Sequence, residues 1–263
     1  MKEAYIASFP KCGRTWLRLI LGTYLNDYYK LGLSKDECLE LKKFNEYHPN
    51  LPSIIVKHDG HPQNKIPAEL ERDKSHLPSP TILLVRHPGD VIVSWYFAVT
   101  KRHPKIVEGQ PKLAAETIPY EGTLSDFLRE ERGSLATYIE YLNIWGENLD
   151  RALVIKYEDM VKCAYTEVFR ANRTLKIPLN HDILTRAINK CRFDRMQKME
   201  TDRTFSADRM RVVDKDDIDT YKVRRGKVNG YFDYLSKDDV EYLQEEIRKL
   251  NPIYGYASQT RKK

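Results

Sequence analysis

Apolar and polar positions along this chain fall into two alternating periods. Short apolar runs of strand type occupy residues 4–9, 53–57, 81–85 and 152–156. Between them, apolar residues recur at helical spacing, which predicts helices over 15–29, 90–101, 135–149, 165–175 and 181–190. A last helix is predicted to start at Ser236, whose hydroxyl pairs with Asp239 in a capping-box pattern ahead of the stripe Val240, Leu243, Ile247 and Leu250. Strands alternating with helices predict an α/β fold in which a central parallel sheet carries helices on both faces. A chain of 263 residues with ordinary apolar content suits one domain over residues 1–263.

Two stretches lack either period. Residues 102–132 carry Pro104, Pro111 and Pro119, and residues 201–223 are strongly polar. Both are expected to be mobile lid segments over a binding pocket.

Composition changes this picture only at its edges. The formal net charge of +6 suits a polyanionic small ligand and is too diffuse to argue for nucleic acid. The four cysteines, Cys12, Cys38, Cys163 and Cys191, show neither paired nor metal-ligand spacing, so a reducing, cytoplasmic setting is expected. No apolar run is long enough to span a bilayer, and no membrane partner is expected. Nor does a carboxylate cluster beside the candidate loops suggest a magnesium site, so no metal is expected.

The candidate chemistry lies in three basic segments. The first is Ser8-Phe9-Pro10-Lys11-Cys12-Gly13-Arg14-Thr15-Trp16, a strand end, a tight basic loop and a helix start. That order aims backbone N–H groups and a helix N-terminus at one spot, a natural anion cradle. The spaced glycines and Gly-Lys-Ser/Thr ending of a Walker loop are missing. The second is Arg86-His87-Pro88-Gly89-Asp90 after the 81–85 strand, with Ser94 two turns into the next helix. Arg86 and Ser94 can grip one phosphate together, and Asp90 is expected to brace the loop. The third is Tyr221 to Phe232, with Lys222, Arg224, Arg225 and Lys227 around Gly226 and Gly230.

In order and chemistry the trio resembles the cytosolic-type sulfotransferases, and the N-terminal block and tail are more similar to bacterial small-molecule members of that group. The resemblance runs from about residue 4 to Tyr254-Gly255-Tyr256. It implies 3′-phosphoadenosine 5′-phosphosulfate (PAPS) as co-substrate, its bisphosphate PAP as product, and a P-loop-like phosphosulfate loop. It also implies that Lys11 stabilises the leaving phosphate, with Lys11, Cys12, Gly13, Arg14, Thr15 and Trp16 around the 5′-phosphosulfate. Arg86, Ser94, Arg224, Arg225 and Gly226 would take the 3′-phosphate, while Tyr157 and Phe193 flank the adenine. The acceptor would be a small molecule, glycan or glycopeptide bearing a hydroxyl or amine. Which of these it is, and the oligomeric state, stay open.

This chain departs from the family pattern twice. Cys12 and Arg14 stand where Ser and Thr are commoner. The base segment reads Lys57-His58-Asp59-Gly60-His61, one residue shorter between Lys and His than in the animal enzymes. His58 aligns with the family base because it directly follows the 53–57 strand, with His61 as the competitor and Lys57 as a candidate second stabiliser. A histidine suits removal of a hydroxyl proton near neutral pH. A nucleotide-dependent kinase and a non-catalytic phosphoanion- or nucleic-acid-binding module are the rival readings.

Overall fold

The computed structural model describes residues 3–104, 120–205, 210 and 212–256. The four predicted strands form one parallel sheet, β1 (Glu3–Ser8), β2 (Ser53–Lys57), β3 (Thr81–Val85) and β4 (Ala152–Lys156), in the order β2-β1-β3-β4. Register follows the apolar runs: Ile6 pairs with Val56 on one side and Ile82 on the other, and Leu83 pairs with Val154. The central strands are buried almost throughout, which is why they read as unbroken apolar runs rather than alternating ones.

Parallel strands need crossovers, and the crossovers supply the helices. Here α1 (Arg14–Tyr29) follows β1, α2 (Pro88–Phe97) follows β3, and α3 (Leu124–Arg129) and α4 (Leu135–Gly146) lead to β4. Behind β4 come α5 (Tyr157–Thr174), α6 (His181–Lys190), α7 (Phe193–Thr201) and α8 (Lys237–Ile247). Ser236 caps α8 in a full capping box with Asp239, as its sequence predicts. Trp145, Tyr24, Tyr138, Tyr254, Phe9 and Phe44 are the largest side chains wholly inside.

Several expectations are corrected. The helix predicted over 165–175 begins earlier, at Tyr157, and bends at Cys163, whose backbone leaves helical geometry (φ −153°). α2 ends at Phe97 and passes into a wider π-type turn, Ala98–Arg102. Part of the first irregular stretch is ordered: Thr123 and Asp126 close a capping box at the start of α3. Of the two expected lid segments, residues 105–119, 206–209 and 211 lie outside the described residues. No described helix is long and apolar enough to cross a membrane.

Candidate active site

Every strand end that the sequence marked opens onto one cavity of about 1090 Å³. Of the marked residues, Lys11, Gly13, Arg14, Thr15, Trp16, His58, Arg86, Ser94, Tyr157, Phe193, Arg224, Arg225 and Gly226 line it. In open α/β sheets a crevice beyond the strands' carboxyl ends is the usual ligand position.

The first loop is held by backbone geometry. Lys11 (φ 71°) and Gly13 (φ 89°) both take left-handed conformations, turning the chain so that α1 starts at Arg14. A side chain at Gly13 would run into the Tyr157 ring at 2.7 Å. No side chain caps the α1 N-terminus, and no acidic residue sits in its first turn, so its positive end faces the cavity. Cys12 does not line the cavity. Its thiol is buried against Tyr138, 3.5 Å from the hydroxyl, and burial pushes it up to about 12. Its thiol is therefore closed to a ligand.

The second loop is braced by carboxylates. Asp90 accepts from the N–H groups of Asn229 (2.8 Å) and Tyr231 (3.0 Å), and lies 3.7 Å from the Arg86 guanidinium. It ties the Arg86 segment to the C-terminal basic loop, the bracing role its position suggests. Glu158 accepts from His87 N–H and from the Tyr256 hydroxyl, fixing the β3 end to the tail. Arg86 donates to the carbonyls of Lys11 (3.2 Å) and Lys227 (3.1 Å) and stacks 4.2 Å from the Tyr157 ring. One guanidinium therefore joins all three basic segments.

A third brace carries no sequence signature. Glu200 is fully buried in α7 and accepts from the N–H groups of Lys222 (2.7 Å) and Val223 (2.8 Å). Arg102 pairs with it at 3.0 Å and also donates to the Thr220 carbonyl. The arrangement anchors the root of the Arg224-Arg225-Gly226 loop and brings two further cations, Arg102 and Lys222, to the cavity wall. Burial and the charges of Lys222, Arg102 and Arg224 hold the Lys11 ammonium well below its ordinary range, with Glu200 opposing. Positive charge so concentrated is the signature of a site that an anion completes. The side-chain Nε atoms of Arg86 and Arg224 are buried without a partner in the protein. Buried donors of this kind fit a phosphorylated ligand.

His58 follows β2 and points its ring into the cavity, with Nδ1 3.0 Å from the Ser8 carbonyl. Burial, then the charge of Arg14, keeps the imidazole well below its usual range, so it is neutral at neutral pH. His61 lines the cavity as well. Lys57 does not: its side chain is exposed, because neighbouring residues of an extended chain face opposite ways. The expectation of Lys57 as a second stabiliser is corrected accordingly.

The turn after His58 is pinned from below. Asp59, Gly60 and His61 all have positive φ, and the Asp59 carboxylate meets Lys74 at 2.9 Å and the Trp145 indole N–H at 3.0 Å. Both members of that ion pair are almost wholly buried. Sequence reasoning missed this pair, since the residues are far apart and belong to no motif. It also missed His103, which lines the cavity and which burial, with Lys11, Lys222 and Arg102, pushes down to about 3.

The lining also holds residues of another character: Trp95, Val99, Tyr120 and Phe127, the last two with their rings 4.9 Å apart, together with Gln63, Asn64, Glu130 and Arg132. Phe193 is 37% exposed beside Gly226, an aromatic face left open to a ligand. Trp16 donates its indole N–H to the Cys191 carbonyl (2.9 Å) and meets the Tyr157 ring edge-on, giving a second aromatic face nearby.

A basic cradle at the strand ends, a neutral histidine and an apolar pocket on one cavity define a group-transfer enzyme with a polyanionic donor. The chain belongs to the sulfotransferase domain family, whose model matches residues 2–254. Among relatives, it is 24% identical over 267 residues to flavonol 3-sulfotransferase from Flaveria bidentis, covering 93% of this chain and 80% of that one. Among solved structures, it is similar to mouse sulfotransferase SULT7A1 complexed with PAP, with a TM-score of 0.59 and 16% identity over 94% of this chain and 84% of that one. A retinol dehydratase in complex with androsterone and PAP gives a TM-score of 0.60 and 14% identity over all of this chain and 83% of that one. The protein is a sulfotransferase. Among the described residues, no group of three or more His, Cys, Asp or Glu side chains is arranged to hold a metal ion.

Proposed function

We propose that the enzyme moves the sulfuryl group of PAPS to the hydroxyl of a small acceptor with a flat apolar body, with His58 as general base. The observation that carries this reading is the placement of a neutral His58 on the same cavity as Lys11. In the reaction, the acceptor oxygen forms a bond to sulfur as the bond from sulfur to the bridging phosphate oxygen breaks. The hydroxyl proton passes to His58 Nε2, and the electron pair of the broken bond leaves with PAP.

Lys11 stands in the loop where charge builds on that leaving oxygen, and its ammonium would stabilise it there. Arg86, Ser94, Arg224 and Arg225 would hold the 3′-phosphate, and Gly13, Arg14, Thr15 and Trp16 the 5′-phosphosulfate. Tyr157, Phe193 and Trp16 would supply the aromatic faces for adenine. In-line transfer of this type depends mostly on positioning and electrostatics, which the braced loops provide. The apolar wall of Trp95, Val99, Tyr120 and Phe127 supports an aromatic or polycyclic alcohol or phenol over a charged glycan.

Transfer from labelled PAPS to a panel of phenols, polycyclic alcohols and sugars tests this reading. Product is expected with the phenols and polycyclic alcohols, and loss of turnover in His58→Gln with PAP binding kept. Turnover undiminished in His58→Gln would remove the base assignment and pass it to His61.

A further inference from the structure

Arg14 and His58 meet directly inside the cavity, with Arg14 Nη2 2.5 Å from His58 Nε2. A guanidinium only donates, so Nε2 must be the acceptor and present its lone pair to Arg14. The Ser8 carbonyl only accepts, so Nδ1 carries the proton. The two contacts demand the same tautomer. It is the tautomer a base needs, but its lone pair is already occupied.

Arg14 has no carboxylate within ion-pair distance among the described residues, although burial strips water from its charge. Burial lowers its guanidinium to about 10, which leaves it charged at neutral pH. A half-buried cation satisfied by an imidazole lone pair is poorly compensated. A phosphosulfate oxygen over the loop would offer it a charge-assisted bond, roughly twice as strong as a neutral one. The loop that would hold that anion is the one that carries Arg14.

We propose that Arg14 caps the His58 lone pair in the free enzyme and is drawn off it by the anionic donor, so that the base is uncovered only once the donor is in place. This rests on the reading of His58 as the base. The groups that face the ring are Arg14, Lys222, His61 and the Ser8 carbonyl. Of these, among the described residues, Arg14 is the group at hydrogen-bond distance from Nε2. The cap makes Arg14 a positioning residue that sets the order of events. Removal of the acceptor proton cannot precede donor binding.

The test is an NMR pH titration of the ¹⁵N-labelled His58 ring, in the wild type and in Arg14→Gln, each free and saturated with PAP. In the free wild type, Nε2 is expected to stay unprotonated and hydrogen-bonded. PAP should raise the titration point by about one unit or more, because the cation leaves the ring. In Arg14→Gln the point should start high without ligand, and PAP should add little. An equal PAP-linked rise in both proteins would overturn the proposal, since the anion would then act on His58 without Arg14. So would identical titrations of the two free proteins. Arg14→Lys, which keeps the charge but loses the planar fork, serves if Arg14→Gln does not fold, and its free titration point should lie above the wild type's. A wild-type value there would overturn the cap. His58→Gln kinetics separate the two failures: full turnover sinks the base reading alone, whereas loss of turnover with a negative titration sinks the cap alone.

Discussion

On the proposed reading, the donor half of the cavity and its acceptor half are built by different means. On the donor side, Lys11, Arg86 and Tyr157 stand at the carboxyl ends of three adjacent strands, and Asp90, Glu158 and Glu200 lock the loops between them. On the acceptor side, the lining comes from the π-type turn after α2, from α3 and its flanks, and from single residues on the loop after β2. Its ion pair of Arg132 with Glu69 is half exposed, whereas the donor side's Arg102–Glu200 pair is buried. A rigid half would fix the donor's reacting bond in space. The looser half can change its residues, and hence the acceptor, without disturbing that bond.

The contrast can be broken at its centre first. His58→Gln should lower kcat by roughly two to four orders of magnitude while PAP affinity stays within about twofold, measured by steady-state kinetics and calorimetry. Next in size is the buried clamp beneath the base. Lys74→Met strands the Asp59 carboxylate and should cost about 3–5 kcal/mol in denaturant unfolding. Lys74 lies outside the cavity lining, so a loss of stability with normal PAP affinity in the folded fraction would show that the clamp serves the fold.

Acid should weaken the same rigid framework. His87 is buried against Tyr231, and burial pushes it down to about 3, so the folded protein keeps it neutral where the unfolded chain protonates it. The unfolded state then binds the extra proton below about pH 6.5, and stability falls as pH falls from there toward 3. The contribution of this one residue is about 1.4 kcal/mol per pH unit, and His87→Phe should flatten the slope by that amount.

Smaller effects sharpen the division between the halves. Arg86→Ala removes a donor shared by three loops and should weaken PAP binding by about 10- to 100-fold. Arg132→Ala, on the acceptor rim, should leave PAP affinity within about twofold and alter only the acceptor KM. A large loss of PAP affinity in Arg132→Ala would erase the distinction drawn here.

The two halves also differ in how far they can be read from sequence. The strand at 81–85 matches the structure because a parallel strand buried on both faces leaves a continuous apolar run, and the shorter apolar runs at 53–57 and 152–156 match as the half-buried edge strands. The strand–loop–helix turn over residues 8–16 was legible because it is local, one loop between one strand and one helix. Glu200 and the Asp59–Lys74 pair were not, since their partners come from distant segments and a lone carboxylate in a helix looks like any solvated one. Lys57 was misread because motif spacing carries no information on which way a strand-end side chain faces. The helix at Leu124–Arg129 escaped notice because six residues are too few to establish a period, although its Thr123–Asp126 capping box was there to be read.

The most direct test of the account is calorimetric binding of PAP against adenosine 5′-phosphate, in the wild type and in Arg86→Ala. The clustered cations of Arg86, Arg224 and Arg225 predict that the 3′-phosphate tightens binding by about 100-fold, a preference that collapses in Arg86→Ala. Equal affinity for the two nucleotides in the wild type would contradict the assignment of this cavity to the donor.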